Sequence, residues 1–145
     1  MKDLEFGEKG WVDPMSSTYR ILIVEDMEPF ANFVQSRLES LGYTILGTAD
    51  SGETAIRMAD MMAPDLIIMD ITLSTSMTGI EAAQRILRSR NIPIIFLTGS
   101  DDKEVLRSGR EISNREVFLK PFSEEELHSA IQQAVISNVI SQEID

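Results

Sequence analysis

The sequence has no cysteine, which excludes disulfide bridges and thiolate chemistry in this chain. It has no run of about 18 apolar residues, the length that a membrane-spanning helix needs. Its charged beginning, MKDLEFGEKG, also lacks the apolar core of a signal peptide. These absences favour a cytoplasmic protein without membrane insertion.

Basic residues are few compared with acidic ones. Lysine and arginine number 13 against 24 aspartates and glutamates, which gives a formal net charge of −11. Such a surface repels a phosphate backbone, so we expect no direct binding of nucleic acid. Histidine occurs once, as His128 in the last predicted helix, and we interpret it as a surface or groove residue.

What the sequence does have is a set of strand-like apolar runs that end on reactive side chains. ILIVED ends on Glu25 and Asp26, DLIIMD on Asp70, IIFLT on Thr98 and VFLK on Lys120. The carboxyl ends of parallel strands meet at one edge of a sheet. If the runs are parallel strands, the three acids, the hydroxyl and the ammonium lie in one pocket.

Segments with helical spacing separate these runs, and a weaker strand, TILGTA, follows the first helix. Five strand–helix units in tandem predict a doubly wound, flavodoxin-like (βα)5 fold with three αβα layers and a parallel sheet of order 2-1-3-4-5. Capping boxes at Thr78/Glu81 and Ser123/Glu126 predict two helix starts. The fourth helix, about 101–112, has few apolar positions.

The predicted domain organisation has three parts. We expect a flexible N-terminal extension at residues 1–18, one domain at 19–139, and a short tail at 140–145 after a last helix that ends near Val139. No DNA-binding or enzymatic output domain is expected, so a signal would leave through contacts with a partner protein.

Clustered carboxylates repel one another unless a cation lies among them. Oxygen ligands without nearby histidine or cysteine favour Mg²⁺ or Mn²⁺ over Zn²⁺. With Lys120 and Thr98 beside the acids, the pocket offers an incoming phosphoryl group a metal, an ammonium and a hydroxyl donor. Among the carboxylates, Asp70 is the best candidate for a nucleophile that becomes an acyl phosphate.

The set ILIVED, IIMD, FLTGS and LKPF resembles the receiver domain of two-component response regulators, from about Tyr19 to Val139. The resemblance implies that Asp70 accepts a phosphoryl group from a sensor histidine kinase or a phosphotransfer protein, and that the protein catalyses only its own phosphorylation and dephosphorylation. It also implies that the donor docks near the first helix, beside Pro29 and Phe30. The downstream protein target is unknown.

The same resemblance assigns roles to the other site residues. Asp26 would bind Mg²⁺ directly, Glu25 mainly through water, and Thr72 through its backbone carbonyl. Thr98 and Lys120 would hold the phosphoryl oxygens. The phosphoryl charge would then switch a face formed by Thr98, the fourth helix and the fifth strand. Ser100 and Pro121 would modulate the site, and Pro121 is expected to follow a cis peptide bond.

Two positions depart from the family pattern. The switch aromatic expected three residues before the lysine is Val117 here, and strand alternation directs the adjacent Phe118 to the other face of the sheet. The loop after Asp70 lacks the usual Met-Pro pair and is longer before it reaches Gly79. Val117 leaves open an alternative function, a pseudo-receiver that binds partners without phosphorylation.

Other classes of protein fit less well. A haloacid-dehalogenase-like phosphatase needs D-x-D-x-T, but the second acid is replaced by Thr72. A flavin carrier would need a phosphate-binding first loop, whereas EDMEP presents carboxylates. Arg85, Arg88 and Arg90 form a basic stripe on the third helix, for which solvation is a simpler interpretation than a docking site.

Overall fold

The computed structural model describes residues 6–7, 10–11, 19–74 and 76–144. Five strands alternate with five helices along the chain. They are β1 (Arg20–Val24), α1 (Glu28–Ser40), β2 (Thr44–Ala49), α2 (Gly52–Met62), β3 (Leu66–Asp70), α3 (Gly79–Ser89), β4 (Ile94–Thr98), α4 (Lys103–Ser113), β5 (Phe118–Leu119) and α5 (Glu124–Ile144).

The five strands form one parallel sheet of order β2-β1-β3-β4-β5. This order confirms the predicted flavodoxin-like 2-1-3-4-5 arrangement. Every residue of β3 and β4 is buried, because helices cover both faces of the sheet. Asp70 pairs with Leu97 in register, so the carboxyl ends of β3 and β4 lie side by side.

Two apolar cores lie on opposite faces of the sheet. One joins the sheet to α2, α3 and α4, through residues such as Ala59 and Ile86. The other joins it to α1 and α5, through residues such as Leu38 and Ile131. Alternate residues of β1, β3 and β4 supply the two cores, as expected for successive side chains of a buried strand.

Helices α3 and α5 begin where the local sequence predicts. Thr78 and Glu81 form a complete capping box at α3, and Ser123 and Glu126 exchange the same two hydrogen bonds at α5. At α4 the side chain of Asp102 accepts hydrogen bonds from the first turn, so the helix begins slightly later than predicted. Gly109 is the only buried residue of α4, which agrees with the few apolar positions of this helix.

At its C-terminal end the chain differs from the prediction, and most of its N-terminal segment lies outside the described residues. Helix α5 continues past Val139 to Ile144, because no glycine or proline interrupts that segment. Of the predicted flexible extension, the structure describes a small antiparallel pairing of Phe6–Gly7 with Gly10–Trp11, and the rest lies outside the described residues. Within the described part of the chain, none of the helices has the length and hydropathy to cross a membrane.

Candidate functional site

The reactive side chains named from the sequence lie at the carboxyl-terminal edge of the sheet. Glu25 and Asp26 follow β1 directly, and Asp70 and Thr98 are the last residues of β3 and β4. The backbone N–H of Lys120, just after β5, donates to the carbonyl of Thr98 at 2.8 Å. The strand order therefore gathers residues that are far apart in the sequence.

Three carboxylates form a cluster at this edge. Glu25, Asp26 and Asp70 each offer an oxygen, and these oxygens all lie within 4.8 Å of one another. Glu25 and Asp70 are only 4% and 3% exposed, while Asp26 is half-buried. Buried acids this close repel one another strongly when they are all charged.

The ammonium group of Lys120 bridges two of these acids. Its Nζ donates to Glu25 Oε1 at 2.7 Å and to Asp70 Oδ2 at 3.1 Å. It also lies 4.3 Å from the ring centroid of Phe30, at the start of α1, where a cation–π contact holds it further. This single ammonium compensates only part of the charge of the three acids.

The loop between β3 and α3 supplies hydrogen-bond donors to Asp70 and Asp26. Asp70 Oδ1 accepts from the backbone N–H of Thr72 at 2.9 Å and from its hydroxyl at 3.2 Å. Asp26 Oδ2 accepts from the backbone N–H of Ser74 at 2.9 Å and from the Ser74 hydroxyl. The loop thus holds the carboxylate of Asp70, at the end of β3, and the carboxylate of Asp26, which follows β1.

The surroundings shift the pKa of several groups at the site. Burial raises the pKa of Glu25 and outweighs the hydrogen bonds from Lys120 and Met27, which act to lower it. Burial also acts to raise the pKa of Asp26, but the two Ser74 hydrogen bonds prevail and hold it below its usual value. Burial acts to lower the pKa of Lys120, yet its bond to Glu25 and the charge of Asp70 raise it. Lys120 therefore stays positively charged at neutral pH.

The donor set fits a hard divalent cation. The cluster offers carboxylate oxygens only, and the described part of the chain places no histidine among them. Ions such as Mg²⁺ prefer oxygen ligands. A bound cation would also reduce the repulsion among the three carboxylates that Lys120 alone does not neutralise. The acidic cluster can therefore hold a metal ion.

Thr98 is completely buried at the end of β4. Its hydroxyl accepts a hydrogen bond from the backbone N–H of Ser100 at 3.1 Å, and the Ser100 hydroxyl in turn accepts from the N–H of Asp102. Because Asp102 caps α4, a short chain of hydrogen bonds runs from Thr98 to the start of that helix.

Val117 and Phe118 face opposite sides of the sheet, as strand alternation predicts. Val117 is buried in the core beneath α4, and Phe118 packs against the core formed with α1 and α5. The bond between Lys120 and Pro121 is cis, which confirms that expectation from the sequence. The Phe118 ring therefore does not take the place of the missing aromatic.

Two contacts at the site were missed by the sequence analysis. Ser74 lies in an irregular loop, where no periodicity indicates which side chain folds back onto Asp26. Phe30 was assigned to a docking surface, but its ring lies against the Lys120 ammonium. The sequence did contain a signal for this contact, because Phe30 lies about one helical turn after Asp26. The start of α1 must therefore lie beside the acidic loop, which contains Glu25 and Asp26.

The chain matches the family model described as "Response regulator receiver domain" over residues 21–132. Among curated proteins, it is 37% identical over 113 residues to the uncharacterized transcriptional regulatory protein YrkP of Bacillus subtilis, covering 78% of this chain and 48% of YrkP. It is 34% identical over 116 residues to the transcriptional regulatory protein PdtaR of Mycobacterium tuberculosis, covering 80% and 56%. The chain thus spans about half the length of these relatives.

Solved structures give the same result. The signal receiver domain of a modulated diguanylate cyclase from Desulfovibrio desulfuricans superposes with a TM-score of 0.78 at 36% identity, covering 84% of this chain and 97% of that one. The receiver domain of the PhyR response regulator from Erythrobacter litoralis has a TM-score of 0.72 at 30% identity, covering 81% and 90%. The fold, the acids at its sheet edge and these matches show that the chain belongs to the response regulator receiver domains, the signalling domains of two-component systems.

Proposed function

We propose that Asp70 accepts a phosphoryl group from a phosphohistidine and that the phosphorylated domain controls a partner protein. The observation that carries this proposal is the ion-paired cluster in which Lys120 bridges Glu25 and Asp70, beside Asp26. Asp70 ends a fully buried strand but has its carboxylate at the pocket. The ammonium group of Lys120 lies next to a nucleophile in this position, so it can balance the negative charge of an incoming phosphoryl group.

In the proposed reaction, one carboxylate oxygen of Asp70 forms a bond to phosphorus while the P–N bond of the phosphohistidine breaks. The electron pair of that bond returns to the imidazole nitrogen of the donor. Lys120 already contacts Asp70 and would hold a phosphoryl oxygen, and Thr98 would donate its hydroxyl to another. The product is a mixed anhydride, an aspartyl phosphate on Asp70.

We assign metal binding to Asp26 and Asp70, to Glu25 mainly through water, and to the backbone carbonyl of Thr72. Bound Mg²⁺, or Mn²⁺, would neutralise charge on the transferring phosphoryl group. Within the described residues, these acids accept hydrogen bonds from Ser74, Thr72 and Lys120. Binding of a cation therefore competes with protein hydrogen bonds, above all at Asp26.

The Ser74 contact leads to a prediction about metal affinity. Replacing Ser74 with alanine removes the hydroxyl that donates to Asp26 Oδ2 but leaves the backbone N–H in place. A hydrogen bond to a charged group contributes about 1 kcal/mol or more, so the freed oxygen should bind Mg²⁺ about fivefold more tightly. Isothermal titration calorimetry of the unphosphorylated protein measures this change.

Ser76 provides a matched control in the same loop. It is exposed, and its side chain forms no hydrogen bond with the residues that the structure describes. Ser76→Ala should leave the affinity for Mg²⁺ unchanged. An equal or weaker affinity in Ser74→Ala would show that the Ser74 hydroxyl does not compete with the cation.

We propose that the signal leaves through Thr98, α4 and β5. A hydrogen bond between Thr98 and the phosphoryl group would reposition Thr98. This change would pass through the hydrogen bonds of Ser100 to the start of α4. Val117 fills the place of the usual aromatic, so this chain of hydrogen bonds would carry the switch. A partner that binds α4 and β5 better after the change would detect phosphorylation.

The proposed donor is a sensor histidine kinase or a histidine phosphotransfer protein. Its docking site would lie at the start of α1, beside the acidic loop, where Met27 is 62% exposed and Phe33 is 48% exposed. Large apolar side chains exposed next to a reactive pocket are typical of a protein-binding surface. Relatives described as transcriptional regulatory proteins suggest an output in gene regulation, which for this chain is also a proposal.

A second candidate function is a pseudo-receiver that binds its partner without phosphorylation, and Val117 is the observation that favours it. Acetyl phosphate, a small phosphoryl donor, distinguishes the two functions. If the protein is a phosphoacceptor, intact-protein mass spectrometry should show one added phosphoryl group with Mg²⁺ and none with EDTA. The pseudo-receiver predicts no added group in either condition.

A further inference from the structure

A groove of about 200 Å³ lies between α2 and α3, on the face of the sheet that these helices cover. Three arginines and one aspartate surround it: Arg57, Asp60, Arg85 and Arg90. Its floor is apolar and includes Ile56, Ala59 and Ile86. The basic stripe predicted on α3 therefore divides, because Arg85 and Arg90 line this groove whereas Arg88 lines a separate depression with Glu111 of α4.

The positive charge of this groove is only partly compensated. Asp60 interacts with Arg90, which donates to its backbone carbonyl at 2.9 Å and lies 3.5 Å from its carboxylate. Arg57 donates to the hydroxyl of Thr54 at 3.2 Å, and within the described residues no carboxylate forms an ion pair with Arg57 or Arg85. The buried Nε of Arg90 also has no hydrogen-bond partner among the described residues. In a chain of net charge −11, this groove is a local excess of positive charge.

We propose that the groove between α2 and α3 is a docking site for an acidic segment of a partner protein that also carries apolar side chains. Guanidinium groups bind carboxylates through paired hydrogen bonds, which matches a rim of three arginines to aspartates and glutamates. An apolar side chain of the partner, placed between its acidic residues, would pack on the floor formed by Ile56, Ala59 and Ile86.

The groove lies away from the acidic pocket. Arg20, the first residue of β1, donates to the backbone carbonyls of Met62 and Ala63, so α2 ends at the amino-terminal edge of the sheet. The acids lie at the opposite, carboxyl-terminal edge. A segment bound between the C-terminal halves of α2 and α3 therefore leaves Asp70 accessible, and its binding does not require phosphorylation.

The probe for this proposal is a short fluorescein-labelled peptide that alternates pairs of glutamate with leucine, and the measurement is fluorescence anisotropy with the full chain. We expect saturable binding that weakens with added salt, and weaker binding of a peptide with glycine in place of leucine. The double variant Arg57→Glu with Arg85→Glu should bind about tenfold or more weakly, because each reversed charge replaces an attraction with a repulsion. Circular dichroism establishes that the variant is folded.

The control is Arg107→Glu with Arg110→Glu, which changes the net charge equally at exposed positions of α4. It should bind the peptide like the wild type, and so should Asp70→Ala, which separates this proposal from the phosphoacceptor function. No binding by the wild type, or equal loss in both double variants, overturns the proposal. Sedimentation that shows a dimer dissociated by the groove variant, without competition from the peptide, also overturns it and assigns the groove to a second copy of this chain.

Discussion

Asp70→Ala is expected to reduce labelling by acetyl phosphate to background, at least about a hundredfold below the wild type. The variant removes the carboxylate proposed to form the bond to phosphorus. Intact-protein mass spectrometry after incubation with acetyl phosphate and Mg²⁺ measures the labelled fraction.

Two further variants make this result specific. Asp70→Asn keeps the shape of the side chain and its contact with Thr72, so loss of labelling there cannot be attributed to a collapsed pocket. Asp101→Ala removes an exposed carboxylate from the loop before α4 and should leave labelling unchanged. Labelling of Asp70→Ala at the wild-type level would place the acceptor elsewhere.

Gly79→Ala is expected to destabilise the protein by about 3 kcal/mol, the largest effect on stability that we predict. A Cβ at this position would lie 2.1 Å from the backbone carbonyl oxygen of Asp70 and 2.9 Å from the Cα of Ile71. Both neighbours are backbone atoms of a buried segment, and the N–H of Gly79 donates to the carbonyl of Ile71. Neither side can move without displacing β3 or the start of α3. Urea unfolding measures the loss.

Gly99→Ala is the matched control for this prediction. A Cβ at Gly99 would meet nothing within 4 Å, so its effect should stay within about 0.5 kcal/mol. The strain at Gly79 also acts on the reactive residue, because relief of the clash moves the backbone of Asp70. We therefore expect slower labelling of Gly79→Ala than of Gly99→Ala. Equal stability of the two variants would contradict the close approach of the loop to β3.

The sequence predicts the fold because its signals are local and agree with one another. Apolar runs of strand length alternate with helical spacing, and two capping boxes mark helix starts that the structure confirms. A right-handed parallel arrangement then leaves few possible strand orders, and the order explains why Asp70 and Asp26 meet. The convergence of the acids was therefore predictable without knowledge of any side-chain contact.

The contacts within the site could not be predicted in the same way. The bond between Ser74 and Asp26 depends on the path of an irregular loop, which no periodic pattern specifies. The division of the α3 arginines between two grooves depends on which neighbouring helix each one faces. The end of α5 also escaped prediction, because a polar sequence without glycine or proline neither ends nor requires a helix.

The central claim is that a phosphoryl group becomes bound to the carboxylate of Asp70, and reductive trapping tests it most directly. Sodium borohydride reduces an acyl phosphate of aspartate to homoserine, so peptide mass spectrometry can locate the modified residue after treatment with acetyl phosphate and Mg²⁺. We predict homoserine at position 70 and its absence when EDTA replaces Mg²⁺. Homoserine at another aspartate, or none at all, would contradict the account.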